Sequence, residues 1–129
     1  MINIKKNYVG DIKRGDIYWH VFDYSISPVL IIQNDVGNKY SPKTIVLKLN
    51  SSKTIFNKAK RIPTIVKIDK DDFIDLHQKH SLKFDDNGFV LTSEIYTVEK
   101  STLIDKIGTM KPNNLSKIEK ALLLSLGIE

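Results

Sequence analysis

The 129-residue chain has no cysteine, and no apolar run approaches the ~20 residues that a membrane-spanning helix needs. The absence of cysteine excludes disulfides and thiolate metal sites and is typical of a cytosolic protein. The first residues, MINIKKNYVGDIKRGD, lack the apolar segment of a secretory signal peptide. Repeats, linkers and low-complexity tracts are also missing. The length predicts one domain with a single core. The missing cysteine, signal segment and long apolar run predict a cytoplasmic location and no membrane partner.

The charge is biased toward basic residues, with 20 Lys and Arg against 15 Asp and Glu, a net charge of +5 and a pI near 9.3. This balance favours a polyanionic partner, because phosphate neutralisation and counterion release supply most non-specific affinity for nucleic acids. The alternative, that the charge serves only solubility, stays open. The basic residues form two clusters: Lys5, Lys6, Lys13 and Arg14, then Lys53, Lys58, Lys60, Arg61 and Lys67.

Aromatic and β-branched residues dominate several short stretches, which we predict to be strands. The predicted strands cover residues 15–22, 28–34, 43–50 and 62–68, and residues 82–98 form a hairpin that turns at Asn87 and Gly88. Pro28 is tolerated because it stands at the start of a strand. A helical turn running into a further strand is predicted at 100–110.

Two helices and one polar turn complete the prediction. Residues 113–127 form a helix that is capped by Asn113 or Asn114 and stopped by Gly127. Its apolar stripe is Leu115, Ile118, Leu122 and Leu126. A shorter helix at 69–80 begins at Asp69 or Asp71. The turn, IIQNDVGN, places Asn34, Asp35 and Asn38 where their side chains bond backbone groups and hold the loop as scaffold.

The order of these elements implies a small, strongly curved β-barrel, and four motifs resemble one family. RGDIYWHVF (14–22), SPVLIIQNDVGNKYSPK (27–43), NKAKRIPTIVKI (57–68) and LIDKIGTM followed by KIEKALLLSLGI are similar to segments of the MazF/PemK ribonucleases of toxin–antitoxin systems. The match spans roughly residues 13 to 128, so we expect an N-terminal extension at 1–12 and a barrel domain at 13–129.

The resemblance implies a fold, an activity and partners. The fold is mainly β with a C-terminal helix, an SH3-like β-barrel, assembled as a homodimer. The activity is cofactor-free, metal-independent cleavage of single-stranded RNA, and the protein partner is an antitoxin whose tail blocks the RNA groove. His77 and His80 have helical i, i+3 spacing but no matching third ligand, so we predict no metal site.

The family's catalytic positions are substituted in this sequence. Where the family has an arginine before its second strand, this chain has Ser27, and where the family has a threonine, it has Asn50, followed by Ser51. Serine cannot replace the charge or the fixed donor fork of arginine. The loop between the first two strands, DYSIS, is also shorter than in the family. Glu94 and Tyr96 stand where relatives have RNA-facing glutamine and arginine.

Other residues could supply the missing chemistry. His20 is a candidate base near neutral pH, although a histidine in an aromatic strand is more often packed in the core. The candidate catalytic residues are therefore Asn50, Ser51, Ser27 and His20. The candidate RNA contacts are Lys53, Lys58, Lys60, Arg61, Glu94 and Tyr96, since basic side chains can follow a single strand's backbone.

Three functions remain open from the sequence. The first is an active endoribonuclease toxin with a rebuilt site. The second is a catalytically impaired relative that binds nucleic acid or an antitoxin peptide without cleaving RNA. The third is a barrel that makes only protein contacts. Cleavage that depends on Asn50, Ser51 or His20 indicates the first, and salt-dependent RNA binding without cleavage indicates the second.

Overall fold

A computed structural model describes residues 11–22, 25–51, 61–74 and 88–128. Strands dominate these segments, and the longer of two α-helices follows the last strand. The strands are β1 (Asp16–Phe22), β2 (Ser25–Ile31), β3 (Lys43–Ser51), β4 (Ile65–Ile68), β5 (Phe73–Ile74), β6 (Gly88–Glu99) and β7 (Leu103–Met110). The helices are α1 (Asp35–Tyr40) and α2 (Pro112–Ser125).

The seven strands form one antiparallel sheet in the order β4-β6-β3-β2-β1-β7-β5. β6 and β7 are joined by a single 3-10 turn, Lys100–Thr102, although three strands lie between them in the sheet. Strands spaced at about 4.8 Å would separate β6 from β7 by roughly 19 Å in a flat sheet, which so short a turn cannot span. The sheet therefore curls until the two strand ends meet. This half-barrel with a C-terminal helix confirms the predicted fold class.

Alternating side chains fill both faces of the curled sheet. On one face α2 lies over the sheet, and its buried Ile118 joins the apolar cluster of Ile17, Leu30, Leu47, Leu49, Val90 and Ile107. The opposite face buries a second cluster, made of Ile12, Tyr18, Val29, Ile31, Val46, Val98 and Leu103. Phe22 and Tyr96 pack at the edge of this second cluster.

The polar turn after β2 is a helix, which corrects the sequence prediction of a loop. Asn34 caps α1 by accepting a hydrogen bond from the Gly37 N–H at 2.8 Å. Asp35 accepts one from the Arg14 N–H at 2.7 Å, and the Asn38 amide donates to the Gln33 carbonyl at 2.9 Å. The predicted scaffold role, side chains bonded to backbone groups, is confirmed.

The sequence predicts Pro28 at the start of a strand, whereas in the structure it is the fourth residue of β2. It pairs with Trp19 of β1, while the ladder between β2 and β3 begins only at Val29. A residue without an N–H fits there because β3 has not yet begun to pair. Only two residues link Phe22 to Ser25, so the short β1–β2 connection is confirmed.

The prediction of a helix at 69–80 is wrong for residues 69–74, the part of this range that the structure describes. The side chain of Asp72 accepts from the Asp69 N–H and that of Asp69 from the Asp71 N–H, both at 2.9 Å, which closes one 3-10 turn at Lys70–Asp72. Phe73, the first residue of β5, then buries its ring and pairs with Met110 of β7. Residues 75–80 lie outside the described segments. Asn87 and the first arm of the predicted hairpin also lie outside them, whereas Gly88 begins the second arm, β6.

The C-terminal helix is confirmed with shifted ends. α2 begins at Pro112 after Lys111, and not after Asn113 or Asn114, because proline at the first helical position fixes φ where no N–H bond is needed. Gly127 ends it with φ of 73°, as predicted. Leu126 lies beyond the last turn and is exposed. No helix in the described part of the chain has the length and apolarity to cross a membrane.

Candidate active site

Three of the predicted catalytic residues fall in one row across β1, β2 and β3. His20 pairs with Ser27 in the β1–β2 ladder. The β2–β3 ladder pairs Val29 with Lys48, and the same register extended by two residues sets Ser27 opposite Asn50. Directly opposed residues project to the same face of an antiparallel sheet. The three side chains therefore share the face that carries the second apolar cluster.

His20 is the most buried of the three residues and is only 6% exposed. Its ring packs edge to face against Phe22 with centroids 4.5 Å apart. Its Nδ1 is buried and has no hydrogen-bond partner within the described segments. Burial lowers the pKa of His20 below its ordinary value of 6.5, because the imidazolium loses hydration there. His20 is therefore neutral at pH 7.

Two further side chains complete a cluster around Phe22. The Tyr96 ring lies edge to face at 5.3 Å, and the Lys48 Nζ lies 4.9 Å from the Phe22 ring centroid. Tyr96 was predicted from the sequence, whereas Phe22 and Lys48 were not. Strand alternation could have found both, because Phe22 is two residues after His20 and Lys48 is two before Asn50.

The remaining predicted residues lie in different parts of the chain. Ser51 ends β3, where its backbone pairs with Gly88. Glu94 is partly buried in the irregular stretch of β6 that separates the two parts of the β3–β6 ladder. The predicted contacts Lys53, Lys58 and Lys60 lie outside the described segments.

Arg61 is exposed in the turn before β4 and is not part of the strand pairing that forms the row. The row instead continues from Asn50 to Phe89 of β6 and then to Lys67 of β4. Lys67 is exposed and lies six residues after Arg61. One member of the second basic cluster thus aligns with the site, though not the one predicted.

The described segments contain no group of three acidic, histidine or cysteine side chains placed to hold a metal ion. His77 and His80 lie outside those segments. The chemistry available at the described row is that of a neutral imidazole, a hydroxyl, an amide and one ammonium group.

Comparison with known proteins identifies the family. A family model described as "PemK-like, MazF-like toxin of type II toxin-antitoxin system" matches residues 13–126. The chain belongs to this family of toxins. The Endoribonuclease MazF of Staphylococcus epidermidis is 36% identical over 126 residues, which cover 91% of this chain and 92% of that protein. The MazF/PemK resemblance seen in the sequence motifs is confirmed.

Solved structures of MazF-type proteins share the fold. An endoribonuclease from mycobacterial species has a TM-score of 0.71 at 24% identity, with 94% of this chain and 96% of that chain covered. The same kind of enzyme "in complex with its cognate antitoxin" has a TM-score of 0.70 at 24% identity, covering 94% and 98%. A MazE–MazF structure from Deinococcus radiodurans has a TM-score of 0.67 at 16% identity, covering 94% and 100%.

Proposed function

We propose that this MazF-like toxin is a metal-independent endoribonuclease that cleaves single-stranded RNA at the row formed by His20, Ser27 and Asn50. The observation that carries the proposal is the pairing of His20 with Ser27 on the sheet face that Asn50 shares by strand alternation from the paired Lys48. The endoribonuclease name of the Staphylococcus epidermidis relative supports the activity.

RNA cleavage of this kind needs a base that removes the proton of the 2'-hydroxyl. The 2'-oxygen then attacks the adjacent phosphorus, and the bond to the 5'-oxygen breaks to leave a 2',3'-cyclic phosphate. We assign the base to His20, whose lowered pKa keeps it neutral and able to accept a proton at pH 7. The protonated imidazole can return that proton to the leaving 5'-oxygen.

The phosphorane that forms during attack carries negative charge on its non-bridging oxygens. We assign the Ser27 hydroxyl and the Asn50 amide as donors for those oxygens, because Ser27 pairs with His20 and Asn50 lies on the same face one strand further along the sheet. Ser51, the next residue of β3, is the fourth proposed member of the site. These neutral donors replace part of what the family's arginine and threonine provide.

The remaining proposed contacts to the RNA lie around the row. The Tyr96 ring, at the edge of the second apolar cluster, can stack a base, and Glu94 can bond a base edge. Lys53, Lys58, Lys60 and Arg61 are proposed to follow the phosphates as a basic segment. The proposed partners are single-stranded RNA, a second copy of the chain in a homodimer, and an antitoxin, as in the mycobacterial complex. The proposed location is the cytoplasm.

The test is an RNA cleavage assay. Purified protein is incubated with a long mixed-sequence RNA, with and without EDTA, beside an Asn50→Ala/Ser51→Ala double variant. EDTA-resistant fragments ending in cyclic phosphate, absent with the variant, are the expected result. Cleavage that the double variant retains in full contradicts the site, and cleavage that EDTA abolishes contradicts the metal-independent mechanism.

A second candidate is binding without cleavage. The burial of His20 favours it, since a 6% exposed imidazole must be reached by the 2'-hydroxyl before it can act as a base. A folded wild-type protein that binds RNA with salt-dependent affinity and yields no fragments at high concentration would establish this alternative.

A further inference from the structure

Lys48 is a positive charge on the sheet face that carries His20, Ser27 and Asn50, and its ring contact places it beside Phe22, the neighbour of His20. It lies on β3 two residues before Asn50 and on the same face. Its Nζ sits over the Phe22 ring at 4.9 Å, and Phe22 in turn contacts His20. The ammonium group therefore lies on one side of the Phe22 ring that also contacts the proposed base.

The charge of Lys48 is not neutralised by a carboxylate of the described segments. The two ion pairs found there are Arg14 with Glu119 at 3.2 Å and Lys106 with Asp16 at 3.3 Å. The Lys48 contact is with the face of an aromatic ring, which attracts a cation without neutralising it. An anion can therefore replace or join the ring as the partner of this ammonium group.

The register also relates Lys48 to Ser27, where the family has its arginine. Lys48 pairs with Val29, which lies two residues after Ser27 on β2 and on the same face, so continuing the register beyond the paired residues places Lys48 diagonally from Ser27. Diagonal neighbours on one face are about 7–8 Å apart at Cα, within reach of a long side chain. A lysine entering from β3 can consequently bring its charge to the space that an arginine on β2 would fill.

We infer that Lys48 binds the scissile phosphate and supplies from β3 the positive charge that Ser27 cannot supply from β2. The catalytic part of this inference rests on the proposed function. The phosphate contact can be tested by binding alone, without cleavage. Lys48 neutralises the non-bridging oxygens as the phosphorane forms, while Ser27 and Asn50 donate hydrogen bonds to them. Its displaced position explains how a member of this family can keep a cationic site with serine at position 27.

The test compares single-charge variants of the full chain. Lys48→Gln removes the proposed phosphate contact. The matched control is Lys39→Gln, because Lys39 also lies over an aromatic ring, Tyr40, at 5.3 Å but belongs to α1 at the other end of β3. Lys48→Met keeps the aliphatic stem and serves if the glutamine variant does not fold. Thermal melting verifies that each variant is folded.

Two readouts are measured. The first is the affinity for a fluorescent single-stranded oligonucleotide with 2'-O-methyl groups, which cannot be cleaved, as a function of salt. Losing one phosphate contact should make the slope of log affinity against log salt less negative by about 0.7. The second is the cleavage rate of RNA at saturating protein, which should fall about 100-fold. Lys39→Gln should match the wild type in both readouts.

Rescue tests the position of the charge. Ser27→Arg introduced into Lys48→Gln returns a cation to the same space from β2, and should recover at least about tenfold in rate together with the salt slope. A purely structural role of Lys48 predicts no such recovery.

The outcomes separate this inference from the proposed activity. If the wild type cleaves RNA and Lys48→Gln behaves like Lys39→Gln in slope and rate, the inference is overturned and the activity stands. If the wild type binds the oligonucleotide without cleaving RNA, the activity fails, and the salt slopes of the two variants still decide the role of Lys48. If the wild type does neither, both are overturned.

Discussion

The two ends of strand β3 contrast in how their polar groups are satisfied. At the β2–α1–β3 end, the buried Asn38 amide accepts from the Thr44 hydroxyl at 2.7 Å and donates to the Gln33 carbonyl at 2.9 Å. The Asn38 carbonyl accepts from the buried Lys100 ammonium group. At the other end, His20 buries an Nδ1 without a described partner, and Lys48 faces a ring.

The difference separates scaffold from site. Fully bonded buried polar groups fix a conformation, and their loss costs stability. Buried polar groups without partners are kept at a cost to folding, and they occur where a ligand or substrate completes their bonding. The α1 end of β3 therefore has the character of a scaffold, and the unpartnered His20 Nδ1 supports the proposal of a binding surface at the end near Asn50. Variants at the two ends should accordingly affect different properties.

The largest effect is expected from His20→Gln. Removing the proposed base should lower the single-turnover cleavage rate about 1,000-fold, or ~4 kcal/mol of activation free energy. The free energy of unfolding, measured in urea, should not fall below that of the wild type, since a poorly hydrated ring is removed.

The pH profile of cleavage distinguishes a base from a packing residue. A base must be neutral, and burial lowers the pKa of His20, so the wild-type rate should stay on its plateau below pH 6.5. A His20→Gln protein that cleaves within threefold of the wild type, with the same profile, would show that His20 only packs against Phe22.

Asn38→Ala should give the largest loss of stability. The Thr44 hydroxyl, which is fully buried, loses its acceptor, and the Gln33 carbonyl loses a donor. We expect about 3 kcal/mol less free energy of unfolding, measured by urea titration.

Asn34→Ala is the control on the same helix. It removes only the cap to the Gly37 N–H and should cost about 1 kcal/mol. The cleavage rate per folded molecule should be unchanged in both variants. Equal stabilities of the two variants would contradict the structural role assigned to Asn38.

A smaller effect is expected from pH on stability. The folded state keeps His20 neutral, whereas in the unfolded chain it titrates near 6.5. As the pH falls below that value the unfolded state binds more protons, so the free energy of unfolding should decrease. Urea titrations at pH 7 and pH 5 should show this decrease in the wild type and a smaller one in His20→Gln. Identical decreases would mean that His20 is not the group responsible.

The smallest effect is expected from Asp35→Asn. The Arg14 N–H lowers the pKa of Asp35 by bonding its carboxylate, and the contribution of this charge is lost as the pH falls through that lowered value. Because the side chain is exposed, the variant should lose less than about 1 kcal/mol at pH 7. Urea titrations of both proteins should converge in acid, and a constant difference would assign the effect to something other than charge.

Most of the sheet could be predicted because strand composition is a local property. β1, β2 and β3 follow from aromatic and β-branched runs, and the end of α2 follows from Gly127. α1 could not be predicted, because its residues favour turns and a six-residue helix has little stability of its own. Its hydrogen bonds to Arg14, Thr44 and Lys100 stabilise it, and these contacts exist only in the folded chain.

The sequence pointed to the members of the proposed site but not to their arrangement. The motifs pointed to Ser27 and Asn50 individually, and chemistry pointed to His20. Their common row depends on the register of two ladders, which no local pattern determines. Lys48 was overlooked because the basic residues were considered as sequence clusters, and a lone lysine within an apolar strand belongs to none of them.

The most direct test of the contrast between the two ends is a backbone amide NMR titration with the uncleavable 2'-O-methyl oligonucleotide. The account predicts the largest shift changes at His20, Ser27, Lys48 and Asn50, with those of Asp35–Tyr40 close to the noise. Largest changes on α1, or changes spread evenly over both ends of β3, would contradict it.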